Sequence, residues 1–196
     1  MNCTNPLRSG FIASLLAGLT LLAAPLHATD VSVHKNLQTG LLTWTSEEKG
    51  FSIELIQLMP DFVRAVYSKH DFPQKEIEHI ADYCVFGSIL KNTSEQQLTY
   101  KVSEWTYTDA QDKTHPVKSK SQWLQEWRKA GITFSWTLLP DDVVFEVGDW
   151  QQGFTTIKVP RDQHFDLNYR WTQDDVAYTG SLNNLSCAPA TLDQLQ

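Results

Sequence analysis

The 196-residue chain predicts a mainly β fold, an immunoglobulin-like antiparallel β-sandwich with short helical insertions, and a single α+β domain is the alternative. Three observations point there. Apolar and polar residues alternate with period two through most of the second half. Polar or Gly/Pro turns separate those runs at short intervals. The period becomes helical in only three places.

Residues 1–28 precede any element of that fold and read as a secretory leader. Arg8 is the only charged residue before Asp30, and residues 11–24 are almost wholly apolar. That run fits the apolar region of a leader and is short for crossing a bilayer. Ala28 takes the last leader position, although Leu26 is larger than the ideal small residue, and an uncleaved anchor is the alternative. Residues 29–188 then form one β-rich domain, and residues 189–196 a loosely tied tail. Cys3 goes with the leader, which leaves Cys84 and Cys187. Export sets these in an oxidising compartment, so a disulfide between them is expected.

Residues 31–37 suit a short first strand. "GLLTWT" and "FSIELIQ" flank the polar "SEEKG" as a hairpin ending in Gly50. "PDFVRAVYSKH" then spaces Phe62, Val63, Val66 and Tyr67 for a helix with Pro60 in its first turn. A second helix restarts near Pro73, with Ile77, Ile80, Ala81 and Cys84 as its stripe. "CVFGSIL", the turn "KNTSEQQ" and "LTYKVSEW" read as the strongest hairpin of the chain. A polar excursion over 108–119 leads to "SKSQWLQEWRKAG", a helix capped by Ser119 or Ser121 and stopped by Gly131. "ITFSWTL", "VVFEVG", "GFTTIKVP", "FDLNYRW" and "VAYTGSL" are the remaining strands.

Charge narrows the function classes. Removing residues 1–28 takes away only Arg8, so the net charge moves from −7 to −8, which argues against a general nucleic-acid binder. No other apolar run approaches membrane-spanning length, so a mature chain without a stable transmembrane segment is expected. Neither G-x-S-x-G nor HExxH occurs, and no catalytic residue stands out. The histidines at 34, 70, 79, 115 and 164 lack ligand spacing, so neither a metal nor a cofactor is expected, with copper or zinc handling as an alternative. Glu76, His79 and Asp82 share a helical spacing, and Asp141, Asp142, Glu146 and Asp149 form an acidic cluster without EF-hand order.

Tryptophan is the conspicuous side chain. Trp105, Trp123 and Trp150 lie near element ends, where exposure is expected, and Gly148 and Gly153 bracket Asp149 and Trp150 as a loop suited to recognition. Trp105, Trp123, Asp149 and Trp150 are therefore the candidate binding residues. Asn92-Thr-Ser and Asn184-Leu-Ser match glycosylation sequons. The expectation is a periplasmic or secreted binding or assembly module with a protein or peptide partner. A structural envelope-associated domain is the runner-up, followed by a secreted hydrolase.

Overall fold

The computed structural model describes Met1 and residues 31–191. The expected leader, Met1 apart, lies outside the described residues, as do residues 192–196. Two antiparallel sheets share one core, and three short helices cover part of the far face of one sheet.

Sheet A is a meander of β1 (Val31–Lys35), β2 (Leu42–Glu48), β3 (Phe51–Leu58) and β4 (Cys84–Asn92), as their period-two patterns require. The β2–β3 turn is two residues long, with Lys49 at φ 48° and Gly50 at φ 77°. This pair matches the twist of a hairpin. A Cβ on Gly50 would also collide with the Ser94 side chain, so glycine is required twice over. Sheet B contains β5 (Leu98–Lys101), β6 (Thr106–Thr108), β7 (Thr114–Pro116), β8 (Asp142–Phe145), β10 (His164–Gln173) and β11 (Val176–Ser186). Between them in sequence, β9 (Trp150–Ile157) returns to sheet A and pairs with β4. One 3-10 turn, Val102–Glu104, separates β5 from β6, and both pair along the same side of β10. β11 takes the other side of β10.

Trp44, Phe51, Ile53, Leu55, Phe86 and Leu90 from sheet A meet Tyr100, Trp105, Leu167, Tyr169 and Trp171 from sheet B in the shared core. Phe51 stacks on Trp171 at 5.1 Å between ring centroids, a spacing suited to an offset aromatic pair. On the outer face of sheet A, α1 (Pro60–Ser68), α2 (Gln74–Ala81) and α3 (Lys120–Lys129) bury Val63, Tyr67, Ile77, Ile80, Trp123 and Trp127 over Leu58, Val85 and Phe154. Ser119 and Gln122 form a capping box on α3, and Gly131 follows it at φ 78°. The Asp141 carboxylate accepts from the Lys120 and Ser121 amides at 2.5 and 2.6 Å, which satisfies two more donors of the first turn.

Several expectations need correction. The strand order is not that of an immunoglobulin domain, because four consecutive strands fill one sheet as a meander. The expected hairpin from Cys84 to Trp105 is a crossing between sheets, since β4 lies in sheet A and β5 in sheet B. Both strands bury alternate apolar residues in the same core, but from opposite sides. Buried Asn92 makes the crossing possible. Its amide donates to the carbonyls of Gln96, Phe145 and Glu146, and its carbonyl accepts from the Ser94 amide and hydroxyl. The segment "ITFSWTL" is largely irregular, and its single bridge joins Leu138 to Phe154. The polar excursion supplies the turn and the second strand of the small β6–β7 hairpin.

Candidate functional site

The tryptophans distribute differently from the sequence expectation. Trp105 and Trp123 are fully buried, which corrects their expected exposure. The Trp105 indole donates to the Arg170 carbonyl at 3.2 Å, and the Trp123 indole to the Thr156 hydroxyl at 2.9 Å. Neither ring presents a face to a partner. Trp150 is exposed at the start of β9, beside Lys91 of β4. Asp149 shapes the turn before it, with its carboxylate accepting from the Glu146 amide at 3.0 Å. Trp136, which sequence reasoning did not single out, is more exposed than Trp150.

The ionisable clusters are mostly structural. Lys118 lies 3.5 Å from the Trp123 ring centroid and 2.5 Å from Glu126, whose carboxylate is 3.5 Å from His79. Lys158 pairs with Asp82 and holds its carboxyl below the ordinary carboxylate range. His115 does the same for Asp109 across 2.7 Å. Among the described residues, no three of His, Cys, Asp and Glu converge so as to hold a metal ion. Asn92 is buried and spends its amide on backbone carbonyls, which removes the first sequon as an acceptor.

A different feature comes from comparing the widths of the two sheets. β11 packs across from β2, with the Gln57 amide donating to the Ser186 and Cys187 carbonyls and Tyr169 to Ser46. β1 lies one strand further out. Val33 pairs with Trp44, so it points to the inner face, yet it is 55% exposed. Residues opposite each other in an antiparallel ladder share a face. Val31 is half-buried against the core, and Leu37 in the following turn is almost fully exposed. Among the described residues, sheet B therefore has no strand above β1.

β11 is the matching edge. It is 11 residues long and pairs only with β10 among the described residues. Its outer row of backbone N–H and C=O groups faces the space above β1. Such a row is a template for another strand. A bulge sets Asn183 and Asn184 against Asp166, with Asn184 at φ 57° and its amide donating to the Asp166 carboxylate at 2.7 Å. The uninterrupted run of the edge is thus residues 176–182. Thr179, Ala177 and Val176 are exposed along it, and Tyr178 stacks inward on Trp171.

The two ends of this gap differ. At one end is a cavity of about 440 Å³ lined by Lys35, Leu42, Gln57, Arg161, Asp162 and Cys187 among others. Arg161 donates to the carbonyls of Ala81, Tyr83 and Ala188, and burial lowers its pKa. No carboxylate forms an ion pair with Lys35 or Arg161 among the described residues. At the other end stand Glu47 and the exposed turn residues Asp174 and Asp175, with Lys49 nearby. The expected disulfide joins Cys84 to Cys187 with a Cα separation of 4.9 Å, and so ties the strand that follows α2 to the residue that follows β11.

Sequence reasoning missed this gap because each strand looks complete by itself. Val33 alternates as an inward residue should, and only the topology leaves it uncovered. Among the described residues no helix is long and apolar enough to cross a membrane. No family model matches the chain, and neither a curated protein nor a solved structure matches it.

Proposed function

We propose that the chain is an exported binding or assembly module acting on another extracytoplasmic protein, and that it accepts an extended segment of that protein along β11. One observation carries this reading: among the described residues, sheet B stops one strand short of sheet A on the β1 side, leaving a seven-residue backbone edge beside the uncovered inner face of β1. A strand added there makes main-chain hydrogen bonds to β11 and covers Val31 and Val33 with its inward side chains. Strand addition draws affinity from the backbone and selectivity from alternate side chains. Export rests on the leader read from residues 1–28. The acidic balance and the absence of a nucleophile motif favour binding over nucleic-acid recognition or catalysis.

The test places a photo-crosslinking residue at Thr179 on β11 and, as a control, at Lys101 on the far side of β10. Protein is recovered from its native compartment, the crosslinked chain is identified, and the complex is rebuilt from purified parts. The expected result is a crosslink from position 179 alone, with amides of β11 protected from exchange in the rebuilt complex. A self-crosslink in a concentration-dependent dimer, or a complex that leaves β11 unprotected, overturns the reading.

A further inference from the structure

We infer that the segment completing sheet B places a carboxylate in the cavity beside Lys35 and Arg161. This rests on the strand-addition reading above and names the chemistry of the segment's end. The gap is electrically polarised along its length. Lys35 and Arg161 line the cavity at the Ser186 end of β11, with Asp162 as the only acidic side chain of that lining. Asp174, Asp175 and Glu47 stand at the Val176 end, with Lys49 as the cation there. A strand lying along β11 spans both poles, so its own charges are sorted by them.

The cavity itself is suited to a small anion on a chain. Lys35 is exposed and has no carboxylate within ion-pair distance among the described residues. Arg161 is half-buried and already satisfies backbone carbonyls, so its charge is fixed in place, and the acidic neighbour it feels, Asp82, is itself ion-paired with Lys158. A guanidinium held this way favours an incoming carboxylate without having to be reordered. Gln57 is held by Leu42, Ser186 and Cys187, so it acts as a rigid floor. The carboxylate can come from a chain's C-terminus or from an Asp or Glu side chain. A C-terminus in the cavity sets the segment parallel to β11, because β11 itself ends there.

The test titrates the disulfide-bonded protein with nine-residue peptides that begin with lysine and alternate threonine with Val, Leu, Phe or Ala. Each is made with a free C-terminal carboxylate, with a C-terminal amide, and as an amide ending in aspartate. Calorimetry gives affinity, and hydrogen exchange of β11 reports strand pairing. The expected result is at least tenfold tighter binding for a carboxylate form than for the plain amide. That advantage disappears in Lys35→Glu and persists in Lys49→Glu. A free C-terminus binding better than the aspartate amide identifies the first source, and the reverse order identifies the second. Equal affinity of the carboxylate and amide forms, with β11 protected by both, overturns the inference and leaves strand addition standing. Absence of β11 protection with every peptide overturns both.

Discussion

Where β8 passes into β9 the chain crosses from sheet B to sheet A within four residues, and that side of the sheet pair is finished by the chain itself. Asn92 holds the crossing from within, and residues 137–139 run along β9, with the Phe154 amide donating to Thr137 and the Leu139 amide to Phe154. On the opposite side no connection links the sheets among the described residues, where β1 is the first strand and β11 the last. An edge is closed where the chain has to cross, and stays open where the outermost strands of the topology fall. The open side is also where charge and cavity gather.

Removing an apolar side chain from each side sharpens this contrast most. Phe145→Ala empties a fully enclosed site next to Tyr100, and we expect a loss of about 3–5 kcal/mol by urea denaturation. Val33→Ala on the open side should change stability by less than about 0.5 kcal/mol. Equal losses would mean that β1 is already covered. Reduction of Cys84–Cys187, which spans 103 residues, should cost about 2–4 kcal/mol. Exchange should then rise in β11 and in residues 187–190 before it rises in β8 and β9.

A smaller effect belongs to the closed side. A Cβ on Gly153 would lie 2.5 Å from the Leu139 backbone, so Gly153→Ala should push residues 137–139 off β9 at a cost of about 1–3 kcal/mol. Loss of protection at the Phe154 amide would confirm the mechanism. The smallest effect concerns acid. His115 first, then the Lys113 amide, holds the Asp109 carboxyl below its ordinary range. A depressed carboxyl stabilises the fold above its unfolded pKa, and that contribution is lost as pH falls through the folded pKa. The β6–β7 hairpin should therefore loosen only below about pH 3.8, the ordinary aspartate value, as read by amide exchange between pH 5 and 2.

Much of the secondary structure was legible, because it follows from local period and punctuation. Pro60, Pro73, Ser119 and Gly131 mark helix ends where the sequence reading put them, and Gly50 marks a hairpin. Pairing was less legible. Cys84–Trp105 has every mark of a hairpin, yet a single buried asparagine redirects the chain, and a polar residue in a turn looks the same whether it is solvated or buried. Trp105 and Trp123 show the same limit from the other direction. A tryptophan near an element end reads as exposed, but a carbonyl or hydroxyl brought from 65 or 33 residues away lets its indole go inside. The disulfide was legible because only two cysteines lie outside the expected leader, which leaves one pairing. The gap above β1 had no local signal, since it is a property of strand count in two sheets.

The crossing at Asn92 also bears on the order in which strands become available to pair. β1 to β4 can pair as a meander as soon as residue 92 is available, since each strand meets its neighbour through a turn or the α1–α2 insertion. The strand that completes β4 on its other side does not begin until Trp150. If the meander pairs while residues 93–149 are being synthesised, β4 carries a nine-residue edge with Ser88 unpaired, and chain delivery at roughly 5–20 residues per second makes that a wait of several seconds. Hairpins form in microseconds, so the wait is long on the scale of strand pairing. The nascent chain is thus most vulnerable to mispairing at an edge that the finished molecule conceals, and a factor that shields β4 during this interval would raise yield without binding the native protein at all.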